Sequence, residues 1–331
     1  MIQFSFIIPF QAPNAYLQQT LNALDKLEGE AFEVVLLPDE DVVPEAFGSH
    51  GYPMTVVSTG KVGPAVKRDK GAELAQGLWL AFIDDDAYPE RDWLVHVKAA
   101  VVDASVVAIA GPQLTPEEDG FWQKVSGAVY LSSLNGRTVL RYWPGPHSFD
   151  VDDWPSVNLC VRKDDFFRAG KFDSAFWPGE DTKLCLELVY GLGKRIVYVP
   201  KAIVWHHRRG SLKKHMRQCG GYGLHRGHFA RKFPKTSLQF GYFLPSAFFL
   251  FLAFGWLLLW AGTFLKTLYL AGWVVFIAAL LVSLGSVQAR TCSWKIAACS
   301  QIYTVITYFW YGAQFVRGFF SNNISRHGLG R

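Results

Sequence analysis

No aspartate or glutamate follows Glu187, although the chain runs on to residue 331 and carries 28 acidic residues up to that point. Its 33 lysines and arginines show no such cutoff: residues 1–239 hold 27 of them and residues 240–331 the remaining six. A soluble domain seldom runs so far without a carboxylate, so the two parts of the chain are expected to sit in different solvents. Charge is sparse overall, at 18% of residues, while half are apolar, and this excludes a disordered chain. Only five cysteines occur, none in a C-x-x-C pair, which excludes a disulfide framework and a zinc ribbon and suits a reducing compartment. Glycine and proline are too ordinary in number, 30 and 16, for a fibrous protein. A basic start is missing too. Met1–Pro9 is short and runs into a strand-like pattern, so no secretory signal peptide is expected.

What is present divides in the same place. The length suggests about two domains of ~150 residues. Residues 240–265 and 267–289 contain no charged side chain, and each exceeds the ~20 residues that a helix needs to cross a bilayer. A third uncharged stretch, 296–316, is more polar, with Gln301, Thr304, Thr307 and Gln314, and could span, lie re-entrant or pack against the other two. The breaks are basic: Lys266, then Arg290 and Lys295. A buried helical core, the other reading of such runs, needs polar faces to solvate its outside. Residues 201–235 carry ten Lys and Arg and no acid, the expected cytoplasmic flank of a first span. Such a flank attracts anionic headgroups at ~1 kcal/mol per basic residue. Three spans would put Arg317, Arg326 and Arg331 outside, and two would keep them inside.

Through the first 200 residues, short apolar runs alternate with helical patterns. Phe4–Pro9, Phe32–Leu37, Met54–Ser58, Trp79–Ile83 and Val106–Ala110 read as buried strands. Leu17, Leu21, Leu24 and Leu27 mark an amphipathic helix, and Ala65–Gln76 reads similarly. This alternation predicts an α/β fold with a mostly parallel sheet, whose ligands lie outside the carboxyl ends of the strands. There the chain places Asp84-Asp85-Asp86, directly after the fourth strand. Three adjacent carboxylates repel one another unless something positive is bound, and hard oxygen ligands suit Mg²⁺ or Mn²⁺ carrying a diphosphate. The other reading is a solvated turn capping a helix over Ala87–Ala100.

At this point the residues resemble the inverting glycosyltransferases of family 2, with the nucleotide-sugar-binding GT-A fold, over roughly residues 3–232. The pieces occur in order: Phe6-Ile7-Ile8-Pro9 with Asn14; Gly63 to Gly71; Phe82-Ile83-Asp84-Asp85-Asp86; Phe172-Asp173, then Gly179-Glu180-Asp181; and Val199-Pro200-Lys201-Ala202 leading to His206. The resemblance implies that Asp39 contacts the nucleobase in a pocket lined by Pro9 and Gln11. It implies that Arg68 lies near the nucleotide, where a surface ion pair is the competing role, and that Asp84 and Asp85 belong to the donor site. Asp84 and Asp86 match the ends of a D-x-D motif, the first toward the ribose and Asp86 on the metal. Asp181 matches the general base, with Glu180 beside it expected to raise its pKa; the same pair also suits the start of a helix. His206 matches a histidine that completes the metal site, although His207 adjoins it.

Two departures bear on these roles. The second strand is followed by Pro38-Asp39-Glu40-Asp41 where two carboxylates and Gly-Ser are usual, which leaves the register of the base contact open by a residue or two. The Gln-x-x-Arg-Trp of processive synthases is absent; in its place stand Arg217-Gln218 and then Tyr222-Gly223-Leu224-His225-Arg226-Gly227. That basic segment reads as a membrane-surface helix bringing Arg217, Tyr222 or Arg226 to donor or acceptor phosphates, or as an electrostatic anchor alone. Trp177 reads as an acceptor wall or as packing.

The expected organisation is a cytoplasmic GT-A domain over 1–207, a basic interface segment over 208–239 and two or three spans over 240–331, multi-pass in the cell (inner) membrane. The expected activity is sugar transfer from a UDP-, GDP- or dTDP-sugar to a hydroxyl of a lipid-linked or glycan acceptor in surface polysaccharide synthesis, with membrane lipids and no nucleic acid as partners. A polyprenyl-phosphate sugar synthase is the enzymatic alternative, and a non-catalytic nucleotide-sugar sensor or scaffold the alternative of another class. A transporter is disfavoured, since the two longest apolar stretches hold no ionisable group to line a path.

Overall fold

The structure, a computed structural model, describes residues 2–101, 103–176, 178–322 and 324. The chain divides into two compact units, Met1–Pro116 with Trp143–His207, and Glu117–Tyr142 with Arg208–Arg331. Residues 117–142, expected in the first domain, group instead with the C-terminal helices.

In the first unit, β1 (Phe4–Pro9) and β2 (Phe32–Leu37) are mostly apolar and buried, as strands covered on both faces tend to be, and their two polar residues pair with each other, Ser5 Oγ donating to Glu33 Oε1 at 2.6 Å. The others are β3 (Met54–Val56), β4 (Trp79–Phe82), β5 (Ala87–Pro89), β6 (Val106–Ala110), β7 (Gln113–Leu114), β8 (Phe149–Val151), β9 (Leu159–Arg162), β10 (Arg195–Tyr198) and β11 (Val204–His206). Eight of them form one sheet in the order β3-β2-β1-β4-β9-β6-β10-β8. Neighbours among β1 to β4 pair in parallel, as do β6 and β10, while β9 and β8 run the other way. A second sheet has the order β5-β11-β7. The predicted helix around Leu17 spans Ala15–Leu24; the Asn14 side chain caps it by accepting from the Leu17 amide at 2.9 Å, and Leu17, Leu21 and Leu24 are buried. Pro64 opens the next helix, Pro64–Leu74, at a position where its missing N–H costs nothing.

The other reading of the acidic triplet, a turn capping a helix over Ala87–Ala100, is not what forms. Ala87–Ala100 is not a helix. Ala87–Pro89 is β5, hydrogen-bonded to β11, and the helix starts only at Trp93. Pro89 explains the break, since the residue before proline is pushed out of the helical region. The Asp84–Asp86 triplet therefore leads into a strand and caps no helix.

The second unit is helical. Phe121–Ala128, Leu212–Lys232, Phe240–Phe254, Thr263–Thr291 and Trp294–Phe320 are its long elements. Among the described residues, two segments are long and apolar enough to cross a membrane: Phe240–Leu259 with mean hydropathy 2.0, and Thr263–Thr291 with 2.3. Only 11% of each apolar window is buried, unlike a core helix of a soluble protein. The third apolar stretch lies in Trp294–Phe320, whose Ser300, Thr304 and Thr307 are buried. It packs on Leu212–Lys232, so the basic segment is a structural partner of that helix. His215 fastens this arrangement, with Ser126 Oγ 2.7 Å from Nδ1 and Thr307 Oγ1 2.9 Å from Nε2. Burial lowers its pKa to about 4, so it stays neutral near pH 7.

Close backbone approach between the two helices depends on glycine. A Cβ at Gly227 would sit 2.1 Å from the Phe315 carbonyl oxygen, and one at Gly318 would sit 1.9 Å from that of Leu224. Backbone cannot step aside as a flexible side chain would. Gly227→Ala is expected to lower stability by about 1–3 kcal/mol, read as an earlier thermal unfolding midpoint in detergent. An unchanged midpoint would show that the helices separate at no cost.

Candidate active site

In the first unit Pro9, Gln11, Asp39, Asp84, Asp86 and His206 stand at or just beyond strand ends, whereas Arg68, Glu180 and Asp181 lie on helices. Pro9 closes β1 and is buried; Gln11 is exposed, and its carbonyl accepts from the Asp39 amide at 3.1 Å. Asp39 follows β2. Its Oδ1 lies 2.5 Å from Nζ of Lys67, a fully buried lysine that also donates to the carbonyls of Phe10 (2.6 Å) and Leu37 (3.0 Å). Three acceptors satisfy the ammonium, which is how a lysine endures complete burial. Sequence reading missed Lys67, since nothing in its neighbourhood distinguishes it from a solvated charge.

Arg68, next in the same helix, is also buried, so it is no surface ion pair. Nη2 contacts Asp84 Oδ1 at 2.5 Å, Nη1 contacts Glu180 Oε1 at 3.2 Å, and the guanidinium lies 5.7 Å from the Phe172 ring centroid. One arginine thus joins the acidic triplet to the Glu180-Asp181 pair. Burial works against its charge, but Asp84 and Glu180 outweigh that and hold its pKa above the ordinary value. Glu180 is pushed up to about 7, first by burial and then by the neighbouring Asp181, with Arg68 pulling the other way.

This shift has a measurable consequence. The unfolded chain releases the Glu180 proton near 4.5 and the folded chain near 7. Between those values the folded state keeps a proton that the unfolded state has lost, so stability falls as pH rises. Glu180→Gln removes that contribution, and its unfolding midpoint is expected to change less across pH 4.5–7 than that of the parent chain. An equal slope in both proteins would assign the titration to another group.

Glu180 and Asp181 open the helix Glu180–Leu186, where negative charge suits the dipole. Two backbone amides hold the Asp181 carboxylate: Thr182 at 2.8 Å and Ser156 at 3.3 Å. Asp153, itself buried, accepts from Thr182 Oγ1 at 2.8 Å and anchors the same turn.

Asp86 meets His206 because β5 and β11 pair antiparallel with His206 opposite Ala87. His206 Nε2 lies 3.2 Å from Asp86 Oδ1, and Asp84, Asp86 and His206 each offer a ligand atom within 4.8 Å of the others. Two carboxylate oxygens and one imidazole nitrogen form a donor set that fits a divalent cation of the Mn²⁺ or Mg²⁺ kind. Asp85 points elsewhere, to Asn14 Nδ2 at 2.9 Å. His207 faces Gln19 Oε1 at 2.9 Å and stacks on Tyr16.

Of the expected acceptor residues, Arg217 and Tyr222 are exposed on Leu212–Lys232, with Gln218 Nε2 donating to the Tyr222 hydroxyl at 3.1 Å. Arg226 donates to Ser237 Oγ at 3.1 Å and lies 4.5 Å from the Tyr242 ring centroid. Trp177 lies outside the described residues.

Residues 5–157 match the sequence model of the family described as "Glycosyl transferase family 2". The chain is 30% identical over 162 residues to the pre-mycofactocin glycosyltransferase of Mycobacterium tuberculosis, covering 49% of this chain and 33% of that protein. It is 26% identical over 200 residues to the glucosyl-dolichyl phosphate glucuronosyltransferase of Haloferax volcanii, covering 54% and 59%. The chain therefore spans between a third and about three fifths of the length of these curated relatives. Among solved structures, the mannosyltransferase of Pyrobaculum calidifontis in complex with GDP-Man and Mn²⁺ superposes with a TM-score of 0.53 at 17% identity, covering 93% of this chain and 87% of that one. At that identity the likeness is one of fold: a mostly parallel GT-A-type sheet followed by helices.

Proposed function

We propose, from the premise that this chain carries a glycosyltransferase family 2 domain on a GT-A fold, that it transfers a sugar from a nucleoside-diphosphate donor, with inversion, to a hydroxyl of a lipid-linked acceptor. The observation that carries this reading is the Asp84, Asp86 and His206 constellation, joined through Arg68 to Glu180 and the adjacent Asp181. A divalent cation held by Asp84, Asp86 and His206 would offset the negative charge that develops on the departing nucleoside diphosphate.

The chain's own residues supply the rest. Asp39, steadied by Lys67, accepts hydrogen bonds from the nucleobase beside Pro9 and Gln11. Asp181 takes the proton of the acceptor hydroxyl as that oxygen attacks the anomeric carbon, and its two amide contacts hold the carboxylate in one orientation. Glu180, buried against Arg68, orients its neighbour and stays clear of the acceptor.

The acceptor class rests on the second unit. Phe240–Leu259 and Thr263–Thr291 insert in the cell membrane and Leu212–Lys232 meets anionic headgroups, so enzyme and lipid-linked acceptor share one surface and gain effective concentration. The name of the Haloferax relative, which pairs glucuronosyl transfer with a dolichyl-linked sugar, supports that class. Surface polysaccharide assembly is the process such an activity would serve, with the first unit in the cytoplasm.

Full-length protein in detergent tests the reading against a panel of UDP-, GDP- and dTDP-sugars, with Mn²⁺, with Mg²⁺ and without metal. Metal-dependent consumption of one donor is the expected result. Failure of every nucleotide sugar to bind under all three conditions would sink it.

A further inference from the structure

His206 and His207 are adjacent, both buried, and chemically identical, yet only His206 joins the carboxylate cluster. The difference lies in what each ring is fastened to. His207 turns toward Gln19 and Tyr16. His206 has Gln113 Oε1 2.7 Å from its Nδ1, with its Nε2 toward Asp86.

We propose that Gln113 is the positioning residue of the metal centre: its amide oxygen accepts the Nδ1 proton of His206 and so presents the Nε2 lone pair to the space shared with Asp84 and Asp86. This inference rests on the metal-dependent reading above. A ring nitrogen binds a cation only when unprotonated, and in a neutral imidazole the hydrogen bond at one nitrogen decides which nitrogen is bare.

The fold makes Gln113 suited to the task. It is 3% exposed and sits in β7, which pairs in parallel with β11 so that Gln113 lies opposite Val204. His206 is two residues further along β11 and therefore on the same face. The backbone on either side is fixed: the Pro112 carbonyl accepts from the Val204 amide at 3.0 Å and from Asn158 Nδ2 at 2.8 Å, and the same Asn158 amide donates to the Ala202 carbonyl at 2.8 Å. Gly111 must be glycine for this approach, because a Cβ there would sit 2.0 Å from the Ala202 carbonyl oxygen. Gln113 is thus held by backbone contacts that involve neither metal nor substrate.

The consequence reaches the choice of cation. Imidazole nitrogen suits transition metals, whereas Mg²⁺ prefers oxygen and keeps its water. An oriented His206 therefore favours Mn²⁺ over Mg²⁺, and a loosened one gives up most of that preference.

The test titrates full-length protein in detergent with Mn²⁺, followed by the electron paramagnetic resonance signal of the free ion, and then competes it with Mg²⁺. Gln113→Leu is expected to weaken Mn²⁺ binding about 10–100-fold, the usual cost of losing an outer-shell partner, and to weaken Mg²⁺ binding less. Gln113→Glu, which keeps an acceptor at Nδ1, is expected to stay within a few fold of the parent, and Gln19→Leu to match it. Parent-like Mn²⁺ affinity in Gln113→Leu would overturn the assignment, as would equal losses for both metals or loss of binding in a folded Gln113→Glu. Absence of Mn²⁺ binding by the parent chain would overturn the metal reading itself, and this one with it.

Discussion

Asp86→Ala is expected to lower kcat/KM for the proposed metal-dependent transfer by about 10³-fold, the scale on which removal of one group stabilising developing charge is felt. Asp86 is the member of the triplet that meets His206, so its loss removes a ligand and also the partner facing Nε2. Asp84 is a different case, because Arg68 holds it and its removal would disturb the Arg68–Glu180 pair as well. Asp86→Ala is therefore the cleaner probe. The contrast with Asp85→Ala makes the result specific: Asp85 bonds to Asn14 outside the cluster, and its loss is expected to cost less than about tenfold. Steady-state kinetics with Mn²⁺ and Mg²⁺ read both variants. Equal losses for Asp85 and Asp86 would mean that the triplet acts as a diffuse negative patch, and parent-like activity in Asp86→Ala would remove the cation from the reaction.

Asp181→Asn is expected to reduce transfer to a hydroxyl acceptor by about 10²–10⁴-fold, the usual contribution of a positioned general base. The amide is nearly isosteric. Its oxygen can still accept from one of the two backbone amides that now hold the carboxylate, so the helix start at Glu180 should form and donor binding should persist. The expected signature is a fall in kcat with donor affinity within a few fold of the parent. The same variant separates two acceptor chemistries. A lipid phosphate is already a nucleophile at neutral pH and needs no base, so a polyprenyl-phosphate acceptor would be glycosylated by Asp181→Asn at near-parent rates. Full activity of the variant on a hydroxyl acceptor would instead remove Asp181 from the reaction.

Much of this protein was legible without coordinates, for identifiable reasons. The strands β1, β2 and β6 were bounded to the residue because a sheet covered on both faces favours mostly apolar runs of strand length, which Ser5 and Glu33 interrupt only singly. Asp84 and Asp86 stood out because carboxylates seldom cluster directly after such a run. The two long apolar helices followed from the missing carboxylates and from run length. The helix that the competing reading of the triplet placed over Ala87–Ala100 does not form there as a whole, because β5 gains its hydrogen bonds from β11, more than a hundred residues later. Local pattern cannot register a partner so distant.

The sequence by itself thus determined the class of fold, the division into an ion-balanced part and a carboxylate-free part, and the carboxylates at the sheet mouth. These follow from solvent preference and from periodicity, which act residue by residue along the chain. Tertiary structure alone decided that Arg68 is an internal link between Asp84 and Glu180, that Lys67 is buried against Asp39, and that residues 117–142 group with the C-terminal helices. It also decided which of two adjacent histidines faces Asp86, through Gln113 on a neighbouring strand. A charged or titratable side chain takes its role from the groups that replace its water, and strand pairing brings those groups from distant parts of the chain.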